Sequence, residues 1–233
     1  MSAYRRTTIR RTTILRTAVR RAVALALVLG ATSGAALAQR RGEPGQFDYY
    51  VLSLSWSPSF CETASGAAAG QQCGRRPFAF VVHGLWPQFE RGFPENCEVP
   101  PPRLDRRIVS DMLDLMPSPK LVYHEWDTHG TCSGLEQRDY FDLIRKARAA
   151  VTIPVAYQNP PQALTVSPRE VVDAFVQANA GMAPDAIMID CDRTHLREVR
   201  ICLTRALAFR SCSAGQGRAC RANSLMMPPV RGN

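Results

Sequence analysis

The chain has 233 residues, with 29 Lys or Arg against 20 Asp or Glu, so its formal net charge is +9. An apolar content of 45% is ordinary for a folded protein and argues against a disordered or collagen-like chain. A net charge of this sign would indicate a polyanionic partner, such as nucleic acid or a membrane surface, if it belonged to the folded part.

The N-terminus has the pattern of a secretory signal peptide. Residues 1–21 contain seven Arg and no acidic residue, residues 22–29 are apolar, and a run of small residues follows as far as Ala38. The apolar stretch is too short and too rich in Ala to span a membrane, which takes about 20 strongly apolar residues. We therefore predict a cleaved signal at 1–38, a mature domain at 39–233 and no membrane anchor after cleavage.

Removing the predicted signal changes what the charge indicates. The mature chain would keep 22 basic and 20 acidic residues, a net charge of +2, because seven of the 29 basic residues lie in the signal. Charge alone then no longer indicates a polyanion. The signal instead predicts a periplasmic or secreted protein in an oxidising compartment.

The mature part predicts a mixture of strands and helices. Periodicity and turn residues favour strands over 47–56, 77–82 (ending at His83), 186–191 and 198–203, and amphipathic helices over 104–116, 139–151 and 167–179. The last helix opens on Ser-Pro-Arg-Glu, the spacing of a capping box. Because these elements do not alternate as βαβ units, we expect an α+β fold with a central antiparallel sheet and flanking helices.

All eight cysteines lie after the predicted signal. An even number in a secreted chain predicts up to four disulfides, although eight cysteines allow 105 pairings. The sequence contains no CxxC pair, so a structural zinc site is disfavoured. The cysteines are Cys61, Cys73, Cys97, Cys132, Cys191, Cys202, Cys212 and Cys220.

Three of the four histidines lie in two dense clusters, HGLWPQ at 83–88 and HEWDTHGTC at 124–132. Imidazole is the side chain suited to exchange protons near neutral pH. If residues 124–129 are helical, His124, Glu125 and His129 share one arc of about 140°, with Thr128 between them. Two imidazoles and a carboxylate on one face can perform acid–base chemistry on a phosphate without a metal.

A zinc hydrolase is a competing interpretation of the same segment. The zinc motif HExxH places two histidines one helical turn apart, whereas this chain has HExxxH, with His124 and His129 one residue too far apart. The usual zinc ligation by both histidines is therefore disfavoured. We predict no metal.

The two clusters resemble the active-site segments of the ribonuclease T2 family. Residues 47–61, FDYYVLSLSWSPSFC, resemble the first strand of that family, and the cysteine-rich end at 191–220 is similar to its C-terminal part. The resemblance covers roughly 47–220. It implies a disulfide-stapled ribonuclease T2-like fold and an endoribonuclease that cleaves single-stranded RNA with low base specificity.

The resemblance also implies a mechanism. The ribose 2′-OH attacks the adjacent phosphorus, which gives a 2′,3′-cyclic phosphate and then a 3′-phosphate. His129 would take the proton from the 2′-OH, His83 would protonate the leaving 5′-oxygen, His124 would bind the phosphate and Glu125 would stabilise the transition state. No cofactor is needed because the nucleophile belongs to the substrate. Single-stranded RNA is then the expected partner of a monomeric enzyme.

The resemblance implies further contacts. Trp86 would be a platform on which a base stacks, although core packing is the alternative for any Trp. Gln88 occupies a position where some family members carry an acidic residue that contacts the base. The implied disulfides are Cys61–Cys73, Cys97–Cys132, Cys191–Cys220 and Cys202–Cys212.

One residue departs from the family pattern. The family usually has Lys where this chain has Thr128, and Thr can donate a hydrogen bond to the phosphate but brings no positive charge. Loss of one preorganised donor costs about 3–4 kcal/mol at an oxyanion hole. A nearby Arg could substitute. The alternative function is therefore a catalytically weak RNA-binding protein on the same fold.

Overall fold

The computed structural model describes residues 42–64, 70–74, 76–213 and 220–230, so the predicted signal peptide at 1–38 lies outside the described residues. The strands are β1 (Tyr49–Trp56), β2 (Phe80–Gln88), β3 (Leu164–Val166), β4 (Ile187–Cys191), β5 (Leu196–Leu203) and β6 (Leu225–Met227), and the α-helices are α1 (Ser57–Thr63), α2 (Arg106–Asp111), α3 (Pro119–Thr128), α4 (Gln137–Ala149) and α5 (Pro168–Ala178). Four antiparallel strands in the order β2-β1-β5-β4 form the central sheet, and a two-stranded sheet pairs β3 with β6. The α+β fold expected from the sequence is confirmed.

Strand β2 continues beyond the predicted end at His83. It includes the whole of HGLWPQ and pairs with β1 as far as Gln88. The prediction stopped too early because Gly and Pro are rare in strands. Pro87 is tolerated because β2 is an edge strand of the sheet.

The helix predicted over 104–116 is shorter in the structure. The side chain of Asp105 caps α2, and the helix ends at Asp111. The chain then turns, so that the carbonyl of Leu115 accepts a 2.9 Å hydrogen bond from the amide of Val82 in β2. A tertiary contact with the sheet therefore ends an amphipathic pattern that would otherwise continue as helix.

The helices predicted over 139–151 and 167–179 agree more closely with the structure, where they are α4 and α5. The helix assumed for 124–129 is the end of α3, which begins at Pro119 and has His129 as its C-terminal cap. Helix α5 begins with the predicted capping box, in which Ser167 and Glu170 bond each other's backbone amides. Strands β3 and β6 escaped prediction because each has only three residues, too few to show a periodicity.

The two faces of the sheet differ in character. One face of β1 carries Leu52, Leu54 and Trp56, which are fully buried in the main core against the helices. The opposite face carries Val51 in a small apolar cluster, together with polar residues of β1, β2 and β5. The candidate site lies on this second face, which the core leaves partly open.

Four disulfides cross-link the domain: Cys61–Cys73, Cys97–Cys132, Cys191–Cys220 and Cys202–Cys212. These are the pairs that the family resemblance implies. Cys132 lies in the 3₁₀ turn Gly130–Ser133 directly after α3, so its bridge to Cys97 ties down the end of that helix. In the part of the chain that is described, no helix combines the length and the apolar character needed to cross a bilayer.

Candidate active site

His83 lies at a bulge in the edge strand of the sheet. Ser53 pairs with Gly84 and Leu54 pairs with Val82, so His83 is an extra residue without a partner in β1. A β-bulge bends a strand and changes the direction of a side chain, and bulges are frequent beside active sites. The bulge places the imidazole of His83 on the same face as Trp86, with 35% of the side chain exposed.

Helix α3 brings the second histidine cluster to the same edge. Trp126 packs into the core and is 3% exposed, which directs the neighbouring Glu125 inward, where it is 1% exposed. His124 is exposed and His129 is half-buried at the end of the helix. His124, Glu125 and His129 each offer a potential ligand atom within 4.8 Å of the others, so these three residues could hold a metal ion.

Gly84 explains how the strand and the helix approach each other so closely. A Cβ atom at position 84 would overlap Glu125 Oε2 and Trp86 Nε1. The absence of a side chain lets Glu125 Oε2 accept a 2.7 Å hydrogen bond from Trp86 Nε1. The other oxygen, Glu125 Oε1, lies 3.7 Å from His83 Nε2.

Two of the site residues have strongly shifted pKa values. Burial raises the pKa of Glu125 to about 7, although His83 and the Trp86 hydrogen bond oppose that shift. Burial, together with the positive potential of His124 and His83, lowers the pKa of His129 to about 3. At neutral pH, His129 is thus a neutral imidazole that can accept a proton, and Glu125 is partly protonated.

Sequence reasoning missed a second carboxylate at the site. Glu198 of β5 accepts a hydrogen bond from His83, with 2.5 Å between Glu198 Oε1 and His83 Nδ1. Burial alone would lower the pKa of His83, but the hydrogen bond and the charge of Glu198 raise it above the usual value. The alternation of Glu198 and Arg200 with apolar residues in β5 was visible in the sequence. The meeting of β5 with His83 across β1 was not.

Thr128, the residue that differs from the family pattern, lies next to His124, the expected phosphate-binding residue. Thr128 Oγ1 lies 3.4 Å from His124 Nδ1, one turn away on α3. Lys120 lies one turn before His124, so Lys120, His124 and Thr128 form one stripe of the helix. The guanidinium of Arg200, in contrast, contacts the carboxylates of Glu198 and Asp190.

Two cavities adjoin the site. The larger, about 470 Å³, is lined by His83, His124 and Lys120, together with Leu121 and Arg197. The smaller, about 220 Å³, is lined by Val51, Trp86, Gln88, Phe93, His129, Met188 and Arg200. A third cavity, of about 400 Å³, lies beside the Cys61–Cys73 bridge and is lined by none of the three clustered histidines. His83 thus lines the larger cavity and His129 lines the smaller one.

A family model and one bacterial relative match most of the chain. The model of the ribonuclease T2 family matches residues 47–212. The chain is 37% identical to a ribonuclease of Aeromonas hydrophila over 192 residues, which are 78% of this chain and 83% of the relative.

Solved structures also resemble the chain. RNase NT in complex with 5′-AMP is 25% identical, with a TM-score of 0.58 over 78% of this chain and 98% of that one. An RNase-related protein from Calystegia sepium has a TM-score of 0.64 and 20% identity, covering 79% of this chain and 98% of that one. The second likeness concerns the fold alone.

Proposed function

The chain belongs to the ribonuclease T2 family and is an endoribonuclease, and from that premise we propose how its site cleaves RNA. The substrate is single-stranded RNA, and base specificity is low. The 2′-oxygen forms a bond to the adjacent phosphorus while the bond from phosphorus to the 5′-oxygen breaks. The product is a 2′,3′-cyclic phosphate, which water then hydrolyses to a 3′-phosphate.

The observation that carries this proposal is that two imidazoles, those of His83 and His129, both lie next to the ring of Trp86. The ring centroid of Trp86 lies 5.2 Å from that of His83 and 5.5 Å from that of His129. A phosphodiester over this cluster would have one imidazole near the attacking oxygen and the other near the leaving oxygen. Each proton transfer contributes about 10²–10⁴-fold to the rate.

The protonation states support the two roles. His129 is neutral because burial lowers its pKa to about 3, so it is the base that takes the proton of the 2′-OH. His83 has a raised pKa, so it is the acid that gives its proton to the 5′-oxygen. A bound phosphodiester anion would raise the pKa of His129 and strengthen it as a base.

Glu125 and His124 act on the phosphate. A protonated Glu125 can donate a hydrogen bond to a non-bridging oxygen as negative charge develops there, and burial raises its pKa to about 7. His124 is exposed on the same helix and binds the phosphate from the solvent side, with Thr128 beside it.

The two cavities fit the two nucleosides on either side of the cleaved bond. His129 lines the smaller cavity, so the nucleoside that carries the attacking 2′-OH lies there, with its base against Trp86. Stacking on an aromatic ring contributes about 1–3 kcal/mol per base with little sequence preference. His83 lines the larger cavity, which accepts the leaving nucleoside.

One assay tests this function against its alternatives. The oxidised mature protein is incubated with RNA, with and without EDTA, and the products are analysed for 2′,3′-cyclic phosphate ends. We expect cleavage that resists EDTA. Binding without cleavage would support the weak RNA-binding alternative, which Thr128 motivates, and cleavage abolished by EDTA would support a metal hydrolase.

We further propose that the protein acts as a monomer in the periplasm or outside the cell, without a membrane anchor. The predicted signal at 1–38 and the four disulfides support an oxidising compartment. Mass spectrometry of the mature protein from fractionated cells would test both the cleavage after Ala38 and the location.

A further inference from the structure

A buried carboxylate from a distant strand holds the imidazole of His83. Glu198 is 8% exposed, and its Oε1 lies 2.5 Å from His83 Nδ1, although 115 positions separate the two residues in the chain. Burial alone would raise the pKa of Glu198, but the hydrogen bond and charge of His83, together with Arg200, lower it to about 2, so the carboxylate is ionised and can only accept. The shared hydrogen therefore belongs to His83 Nδ1.

The sheet is built to make this contact possible. The strand between His83 and Glu198 carries Ser53 and Ser55 at this level, and these small residues leave room for Glu198 to reach across β1. Both serines also donate hydrogen bonds to the carboxylate, Ser55 to Oε1 at 3.1 Å and Ser53 to Oε2 at 2.9 Å.

Arg200 completes the surroundings of the carboxylate. Its Nε donates to Glu198 Oε2 at 2.9 Å, and its terminal nitrogen lies 3.0 Å from Asp190 Oδ2. Every oxygen of Glu198 is thus engaged, and the direction of the carboxylate towards His83 is fixed from several sides. A buried charge with this many partners is held in one conformation.

We propose that Glu198 is a positioning residue that acts through His83, which rests on the proposed role of His83 as the general acid. By accepting the Nδ1 hydrogen, Glu198 directs the other nitrogen, Nε2, towards the leaving 5′-oxygen. Its negative charge favours the imidazolium form of His83. When the bond from phosphorus to the 5′-oxygen breaks, the proton on Nε2 moves to that oxygen, and His83 remains as a neutral imidazole hydrogen-bonded to Glu198.

Other charged groups also face His83 and influence whether its imidazole is protonated. Glu125 of α3 favours the imidazolium, and Arg200 of β5 disfavours it. Lys120 and Arg197 line the same cavity as His83 and add positive charge there, Asp190 and Asp192 add negative charge, and His124 also lines it. The charge of His83 in turn helps to lower the pKa of His129. Glu198 has the shortest contact with the ring, so removing its charge has the largest effect on His83.

The test compares two substrates that differ in their need for a general acid. A ribodinucleoside monophosphate has an alkoxide leaving group that must be protonated, whereas a ribonucleoside 3′-(4-nitrophenyl phosphate) releases a stable phenolate. We expect Glu198→Gln to lower kcat on the dinucleotide about 10- to 100-fold, as a part of the contribution of a general acid. On the aryl substrate we expect kcat to remain nearly unchanged.

The pH profile gives a second readout. With the charge of Glu198 removed, His83 loses its proton at lower pH, so the alkaline limb of the dinucleotide profile shifts to lower pH. Glu198→Asp keeps the charge but is one methylene shorter, so its kcat should lie between those of the wild type and Glu198→Gln. Asp114→Asn, which removes a surface ion pair with Arg145 outside the site, is the control and should leave kcat unchanged on both substrates.

Several results would overturn the proposal. Equal losses on the two substrates would mean that Glu198 only supports the fold, and so would an additive loss when Glu198→Gln is combined with His83→Ala. If His83→Ala itself lowers kcat equally on the two substrates, the proposed role of His83 fails, and the failure is then distinct from that of Glu198. If Glu198→Gln does not fold, the same comparison is made with Glu198→Asp.

Discussion

Trp86 donates a 2.7 Å hydrogen bond from its indole nitrogen to Oε2 of Glu125, so one side chain joins the edge strand to the helix. The ring of Trp86 also lines the smaller cavity beside His129. The sequence offered two interpretations of this residue, a stacking platform or a core residue. The structure adds a third role, because Trp86 orients the most buried carboxylate of the site.

Trp86→Phe separates the hydrogen bond from the aromatic surface. Phe keeps a ring for stacking but leaves Glu125 without its donor, which costs about 1–3 kcal/mol for a buried acceptor. We expect a lower kcat with little change in KM, whereas Trp86→Ala should also raise KM. Steady-state kinetics on a dinucleotide would show the difference, and an equal rise in KM for both variants would contradict it.

Gly84→Ala tests the close approach of β2 and α3. The added methyl group would overlap Glu125 Oε2 and Trp86 Nε1 and displace both. Overpacking of this kind costs about 1–3 kcal/mol, so we expect a lower melting temperature together with a loss of cleavage. Gly70→Ala is the matched control, because no residue that the structure describes lies within 4 Å of a Cβ atom built there. Similar melting temperatures and rates for the two variants would contradict the prediction.

Local patterns predicted much of this site, and tertiary contacts decided the rest. The helical neighbourhood of His124 and Glu125 follows from the sequence, and α3 contains both, whereas His129 is the residue that caps this helix. The bulge at His83 depends on the register between β1 and β2, which no local pattern contains. Glu198 could not be assigned to the site from the sequence. It reaches the site because β5 lies next to β1 in the sheet, and a local pattern does not predict the order of strands.

Glu125→Gln is expected to stabilise the protein at alkaline pH. Burial raises the pKa of Glu125 to about 7, so the folded state binds a proton that the unfolded state has already lost. The stabilising contribution of that proton is complete below the usual Glu pKa and is lost as the pH rises through about 7. Each unit of the shift corresponds to about 1.4 kcal/mol.

The measurement is the difference in melting temperature between Glu125→Gln and the wild type as a function of pH. The difference should be small at pH values below the usual pKa of Glu. As the pH rises from there to the alkaline side, the melting temperature of Glu125→Gln should increase relative to that of the wild type. Glu43→Gln, at an exposed carboxylate, is the control and should show no such trend. A difference that stays constant across this range would show that Glu125 is not held neutral by burial.

Thr128→Lys is expected to raise the rate of RNA cleavage. Position 128 is next to His124 and continues the stripe of α3 that begins with Lys120, so an ammonium group there would face the phosphate. A charged donor at a site of developing negative charge is worth more than a neutral hydroxyl, and one preorganised donor contributes about 10²–10³-fold at an oxyanion hole. Because the new side chain is flexible and partly exposed, we expect a gain of about tenfold in kcat/KM.

Thr128→Gln, which adds length and a donor without charge, should give a smaller gain, and the advantage of Lys over Gln should shrink as salt screens the charge. A rate for Thr128→Lys at or below that of the wild type would show that positive charge at position 128 does not limit this enzyme.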